Sequence, residues 1–187
     1  MLRRTRIMAV TAAIAVAGLA PVAANAATSS SSSSAAAAPY CGITWGSLGK
    51  AASPLSQAPL TNIRAGRHAC FDRLVFDVRG GNVGGYRVQY VSSVHSDGAG
   101  HVVPLRGGAK LSITVHVPAN DVAGRSTYRY ANARELVNVA GYRTFRQVAW
   151  AGSFEGYTTA GLGVRARLPF RVFTLPGRLV VDVAHRW

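Results

Sequence analysis

Only seven of the 187 residues are acidic, only two are lysine (Lys50 and Lys110) and only two are cysteine. Each shortage excludes something. Glycoside hydrolysis needs two acids flanking one bond, and apart from Asp77 and Asp182 the few acids lie scattered in turn-rich stretches. Two cysteines, Cys41 and Cys70, without a C-x-x-C spacing exclude a dithiol redox site. The scarcity of lysine among so many arginines reflects genome composition more than chemistry. No stretch longer than ten residues shows capped helical periodicity, apart from one turn near Asn132–Leu136, which points away from helical folds.

What is present begins with a leader. Arg3, Arg4 and Arg6 precede the apolar run IMAVTAAIAVAGLA, and PVAANAA places small residues before a cut between Ala26 and Ala27. That is the layout of a secretory signal peptide over residues 1–26. Pro21 interrupts the run, which falls short of the ~20 residues of a spanning helix; left uncleaved, the segment would serve as a membrane anchor. Residues 27–38, ATSSSSSSAAAA, bury too little surface to offset chain entropy and read as a flexible tether. The folded domain is expected over residues 39–187, one unit large enough for a core.

An exported chain sits in an oxidising compartment, so Cys41 and Cys70 are expected to form a structural disulfide. The chain carries 21 basic and 7 acidic residues; without the three leader arginines the balance is 18 against 7, or +11. Such a field draws anionic polymers. Export makes these wall polymers, anionic lipids or polyanionic glycans rather than nucleic acid.

Short β-rich stretches follow one another, separated by glycine and proline. KLSITVHVP sets Leu111, Ile113, Val115 and Val117 on one face against Lys110, Ser112, Thr114 and His116, the period of a half-buried strand. YRVQYV, ELVNVAGYRTFRQVAWAG, GLGVRARLPFRVFTL and RLVVDVAHRW read as further strands, with Pro176-Gly177 a turn. The fold class is all-β, a two-sheet sandwich. Arg73–Val78 and Arg178–Val183 repeat one phrase, R-L-V-x-D-V, 105 positions apart. Leu74, Phe76, Leu179 and Val181 are expected between the sheets, and the two phrases are expected in matching places of two sheets. Asp77 and Asp182 are read as partners of Arg73 and Arg178.

R-[LV]-V-[FV]-D-[VL], the Tyr-x-Val strand and G-x-x-L-x-I-x-V resemble the AMIN fold, an envelope β-sandwich of two similar sheets. CGITWGSL, RAGRHACFDRLVFDV, GYRTFRQVAWAGSFEGYTTAGLGVRARLPFRVF and RLVVDVAHRW resemble more closely the AMIN-like domain of secreted proteins and lipoproteins in high-GC bacteria. For AMIN domains the implied role is holding envelope proteins, notably wall amidases, at peptidoglycan. Here the chain stops at Trp187, so any such role is expected to act in trans on a partner such as a wall hydrolase.

No enzyme and no cofactor are expected. His95-x-Asp97-x-x-x-His101 spans the turn SDGAG and lacks a third ligand with support behind it. GSFEG lacks the strand–elbow–helix context of a nucleophilic serine. Binding is expected between Tyr142 and Tyr157, where Tyr142, Arg143, Arg146, Trp150 and Tyr157 mix aromatic faces with guanidinium groups, joined by Arg165 and Arg167; Phe145, Val148 and Phe154 are read as core. Sugar faces stack on aromatics, and carboxylates or phosphates suit bidentate arginine. The function expected is a non-catalytic module binding peptidoglycan or an anionic envelope polymer; the alternative is an interaction module regulating a separate envelope protein.

Overall fold

The computed structural model describes residues 39–187. The leader, Ala26, Ala27 and the tether lie outside the described residues. After a 3-10 turn at Tyr40–Gly42 come eleven strands: β1 (Lys50–Ala52), β2 (Leu60–Arg67), β3 (Phe71–Val78), β4 (Tyr86–Val91), β5 (Val94–His95), β6 (Val102–Val103), β7 (Ala109–Val115), β8 (Phe145–Phe154), β9 (Tyr157–Val164), β10 (Phe170–Leu175) and β11 (Arg178–Ala184). Among the described residues there is no α-helix. Two antiparallel sheets form, β1-β4-β7-β9-β8 and β10-β11-β3-β2, with β5–β6 a separate hairpin.

The core is what the alternation required. Leu111, Ile113, Val115 and Val117 are fully buried, as are Leu74, Phe76, Leu179 and Val181 from the other sheet. Burial of such side chains stabilises by roughly 1.5–3 kcal/mol each. Cys41 and Cys70 are joined, with Cα atoms 6.4 Å apart and a sequence separation of 29. On the chain-entropy model, closing a loop of that length contributes roughly 3–4 kcal/mol.

The repeated phrase has a different meaning from the one expected. β3 and β11 are not matched across two sheets; they are antiparallel neighbours in one. Val75 lies opposite Val180, and around that centre Arg73 faces Asp182, Leu74 faces Val181, Phe76 faces Leu179 and Asp77 faces Arg178. Reversing a strand that reads R-L-V-x-D against its own copy brings each arginine to the other's aspartate. Opposite charges directly across a ladder stabilise the pair, so the echo encodes its own register.

Two further readings are corrected and one unread strand is added. LTNIRAGR forms β2, which the alternation does not reveal, because a bulge between Leu60 and Asn62 puts the buried Leu60 and Ile63 three positions apart. ELVNVAGY forms turns rather than a strand; the backbone of residues 133–136 instead bonds the edge of β8, Leu136 N donating to Val148 O and Trp150 N to Ala133 O. Phe154 is 56% exposed, since β8 has passed a second bulge, between Trp150 and Gly152, before reaching it.

The outer faces of the two sheets are unlike. On the five-stranded sheet, side chains at Gly161 and Gly163 would collide with Leu105 and with the Arg106 carbonyl. Their absence lets the segment after the β5–β6 hairpin lie flat on β9. Val94 of that hairpin is buried. The four-stranded sheet carries arginines and aromatic rings on its outer face instead.

Candidate functional site

β10, β11 and β3 align three side chains across the outer face of the four-stranded sheet. Asp182, fully buried, is opposite Arg73 on one side and Arg171 on the other. Arg73 donates Nε to Oδ1 at 2.7 Å and Nη2 to Oδ2 at 2.9 Å; Arg171 donates Nε to Oδ2 at 2.8 Å. The cluster keeps a net positive charge. Arg171 uses a single N–H on Asp182, and the rest of its fork is free to face a ligand. The Arg73 and Arg171 side chains remain 25% and 31% exposed.

Aromatic rings frame them. Arg171 lies 5.5 Å from the Trp45 ring centre, 5.3 Å from Phe71 and 5.1 Å from Phe173, and Arg73 lies 5.2 Å from Phe71 and 5.5 Å from Phe173. Cation–π contact at this range holds a planar guanidinium in place. Trp45 itself is fixed by its indole N–H donating to the Tyr40 carbonyl at 2.9 Å, beside the disulfide. The mirror pair at the other end of the motif is looser: Arg64 and Arg178 both reach Asp77, but are about half exposed.

The residues singled out from sequence are divided by the structure. Arg165 donates to the His185 carbonyl, Arg67 covers the Tyr142 ring at 5.9 Å, and the charges of Arg143 and Arg165 both bear on His185. Tyr142, Arg143 and Arg165 thus gather at the end of the four-stranded sheet where β3 starts and β11 ends. Arg165 and Arg167 lie beyond β9, which stops at Val164; Arg167 packs over Tyr90 at 4.8 Å. Arg146 folds back, its Nη1 donating to the carbonyls of Tyr142 and Phe145. Trp150 is half-buried against Tyr128 and Tyr130. Tyr157 sits at the far end of β8, a strand roughly 30 Å long at ~3.3 Å per residue, so it shares no surface with Tyr142. Arg73, Arg171, Trp45, Phe71 and Phe173 were missed as a site; the one signal for them was the charge pairing within the echo.

Beneath this end of the sheet lies a buried polar pair. Asp72 accepts from the backbone N–H of Thr144 at 2.6 Å and of Phe145 at 3.1 Å, tying β3 to β8. Its other oxygen is 3.4 Å from His185 Nε2. Burial pulls the His185 pKa down, opposed by Asp72 and helped by Arg143 and Arg165; burial also lowers that of His116. Both imidazoles favour the neutral form in the fold. Their contribution to stability is therefore complete above the unfolded value near pH 6.5 and declines as pH falls through it. A melting temperature that drops between pH 7.5 and 5.5, with a shallower drop in His185→Asn, is the expected result.

Asp97 turns toward the bulge at Gly152, its N–H donating to Ala151 O at 2.8 Å, while His95 Nδ1 contacts Gly100 O. Among the described residues no three His, Cys, Asp or Glu side chains are placed to hold a metal. Ser153 Oγ accepts from Ala119 N and contacts Thr158.

A family model described as the AMIN-like domain matches residues 58–185. The chain belongs to the AMIN-like domain family. Comparison with curated proteins and with solved structures gives no match. Membership makes this AMIN-like domain a module associated with the cell envelope, and no helix among the described residues is long and apolar enough to cross a membrane. The matched span takes in Phe71, Arg73, Arg171, Phe173 and Asp182, while Trp45 precedes it.

Proposed function

We propose that this AMIN-like domain is a non-catalytic module that holds peptidoglycan or an anionic wall polymer on the outer face of its four-stranded sheet. One observation carries the reading: a fully buried carboxylate, Asp182, orients two partly exposed arginines among three aromatic rings on the outer face of the four-stranded sheet. Oriented guanidiniums suit the carboxylates of stem peptides or the phosphates of teichoic polymers, and the rings suit sugar faces. Arg143 and Arg165 extend the positive charge along the end of the sheet, beside the ring of Tyr142. Arg146, Arg167, Trp150 and Tyr157 stand apart from it and contribute as outlying charge or as packing.

The test is sedimentation with purified sacculi, with and without teichoic polymer. Arg171→Ala with Trp45→Ala should lose most of the bound fraction, and because Arg73 still satisfies Asp182 the melting temperature should move little. Arg143→Ala with Arg165→Ala should weaken binding less. For the parent, rising salt should reduce binding without abolishing it, because ionic contacts are screened and stacking is not. A Trp45/Arg171 variant that sediments as the parent does would remove this face from consideration.

A further inference from the structure

The domain is strongly basic, yet one of its clefts contains no basic residue. The cleft, about 610 Å³, lies between the loop from Leu55 to Pro59, the loop from Pro118 to Gly124 and the tip of the β8–β9 hairpin at Glu155–Gly156. No arginine or lysine lines it, whereas two of the seven acids, Asp121 and Glu155, do. Asp121 is matched by Arg125 at 2.8 Å. Glu155 is exposed and joins no ion pair among the described residues.

Apolar surface collects at the same place. Of the nine large apolar side chains exposed among the described residues, Leu55 and Val122 line the cleft, and Phe154 and Tyr157 bracket the hairpin tip. Such a patch beside a concave surface marks a binding site more often than chance exposure does. Pro59 and Pro118 in the walls offer no N–H, which keeps those walls apolar.

The walls are held without any ligand. Ser56 N donates to His116 O at 2.9 Å and Ser56 Oγ to Asn82 O at 2.7 Å; Asp121 Oδ1 accepts from both Ala123 N and Arg125 N at 2.9 Å. Leu60 N reaches Pro118 O at 2.7 Å. A cleft preformed in this way does not have to order its loops on binding.

We propose that this cleft docks an extended segment of a partner protein that presents an apolar side chain next to an arginine or lysine. Charge selects that occupant. A cation is repelled over most of this surface and meets an unpaired carboxylate here, whereas an anionic polymer is drawn to the opposite kind of surface on the four-stranded sheet. The inference is independent of the polymer reading, and both surfaces can be occupied together.

Glu155 supplies a clean test. It has φ 50° and Gly156 has φ 82°, the two left-handed positions of a type I′ hairpin turn, where asparagine is preferred at the first. Glu155→Asn removes the charge while easing the turn, so lost binding cannot be lost folding. The full chain is titrated with acetyl-PLRLP-amide and with acetyl-PLELP-amide, followed by amide chemical shifts. The basic peptide should give saturable shifts at Leu55, Val122, Gly124 and Gly156 with Kd below about 1 mM, and the acidic one should bind at least about tenfold more weakly. Glu155→Asn should cost about tenfold at an unchanged or higher melting temperature, with sedimentation on sacculi unaltered. Absence of saturable shifts at these residues, equal binding of the two peptides, or a Glu155→Asn variant that binds as the parent would each overturn the proposal.

Discussion

Truncating Phe76 to alanine should lower the folding free energy by about 3–5 kcal/mol, measured by urea denaturation. Phe76 is among the largest fully buried side chains. Leu179 lies opposite it on β11 and Ile63 on β2, and the five-stranded sheet closes over them from the other side. Removing the ring opens a cavity between two hydrogen-bonded layers that cannot collapse without breaking ladder bonds. A loss below about 1.5 kcal/mol, the scale of a mere methyl deletion, would mean that Phe76 does not fill the inter-sheet space.

Asp182→Asn should be the second large effect, and its mirror-image control makes it informative. Asp182 and Asp77 hold equivalent places in the repeated phrase, each facing an arginine on the other strand. Their surroundings differ: Asp182 is fully buried with two arginines, while Asp77 is 21% exposed with arginines about half exposed. Breaking a buried pair by removing one partner costs roughly 3–5 kcal/mol. Asp182→Asn should approach the lower end, because Arg73 and Arg171 can still reach water once released. Asp77→Asn should cost less than about 1 kcal/mol, as exposed pairs do. Equal losses from the two variants would show that burial does not distinguish the two ends of the motif.

How legible each part was depended on whether neighbours in sequence were enough to reveal it. The strict alternation of Leu111 to Val117 announced β7, because a regular strand exposes and buries by turns. β2 hid behind its bulge, and Phe154 passed for core because the bulge at Gly152 had shifted the period before it. The aromatic and arginine run from Tyr142 to Tyr157 looked like one surface because its members are close in sequence. An extended strand separates them instead: Arg146 bonds its own backbone carbonyls, Trp150 joins two tyrosines, and Tyr157 caps the far end.

By itself, then, the sequence determined the all-β class, the main core faces and the pairing of the motif's aspartates with its arginines, since alternation and complementary charge are local properties that a strand carries into any sheet. The disulfide also follows from composition and compartment, there being only one possible pair within the chain. Tertiary structure alone decided which strands are neighbours, and so which side chains meet. Trp45, Arg73, Arg171 and Asp182 come from four separate stretches and converge because β10, β11 and β3 lie side by side and the segment around Cys41 is tied to Cys70. Burial of Asp182 but not Asp77 likewise arises from how the chain packs around the two ends of the motif. Packing is a property of the whole chain, and no window of the sequence contains it.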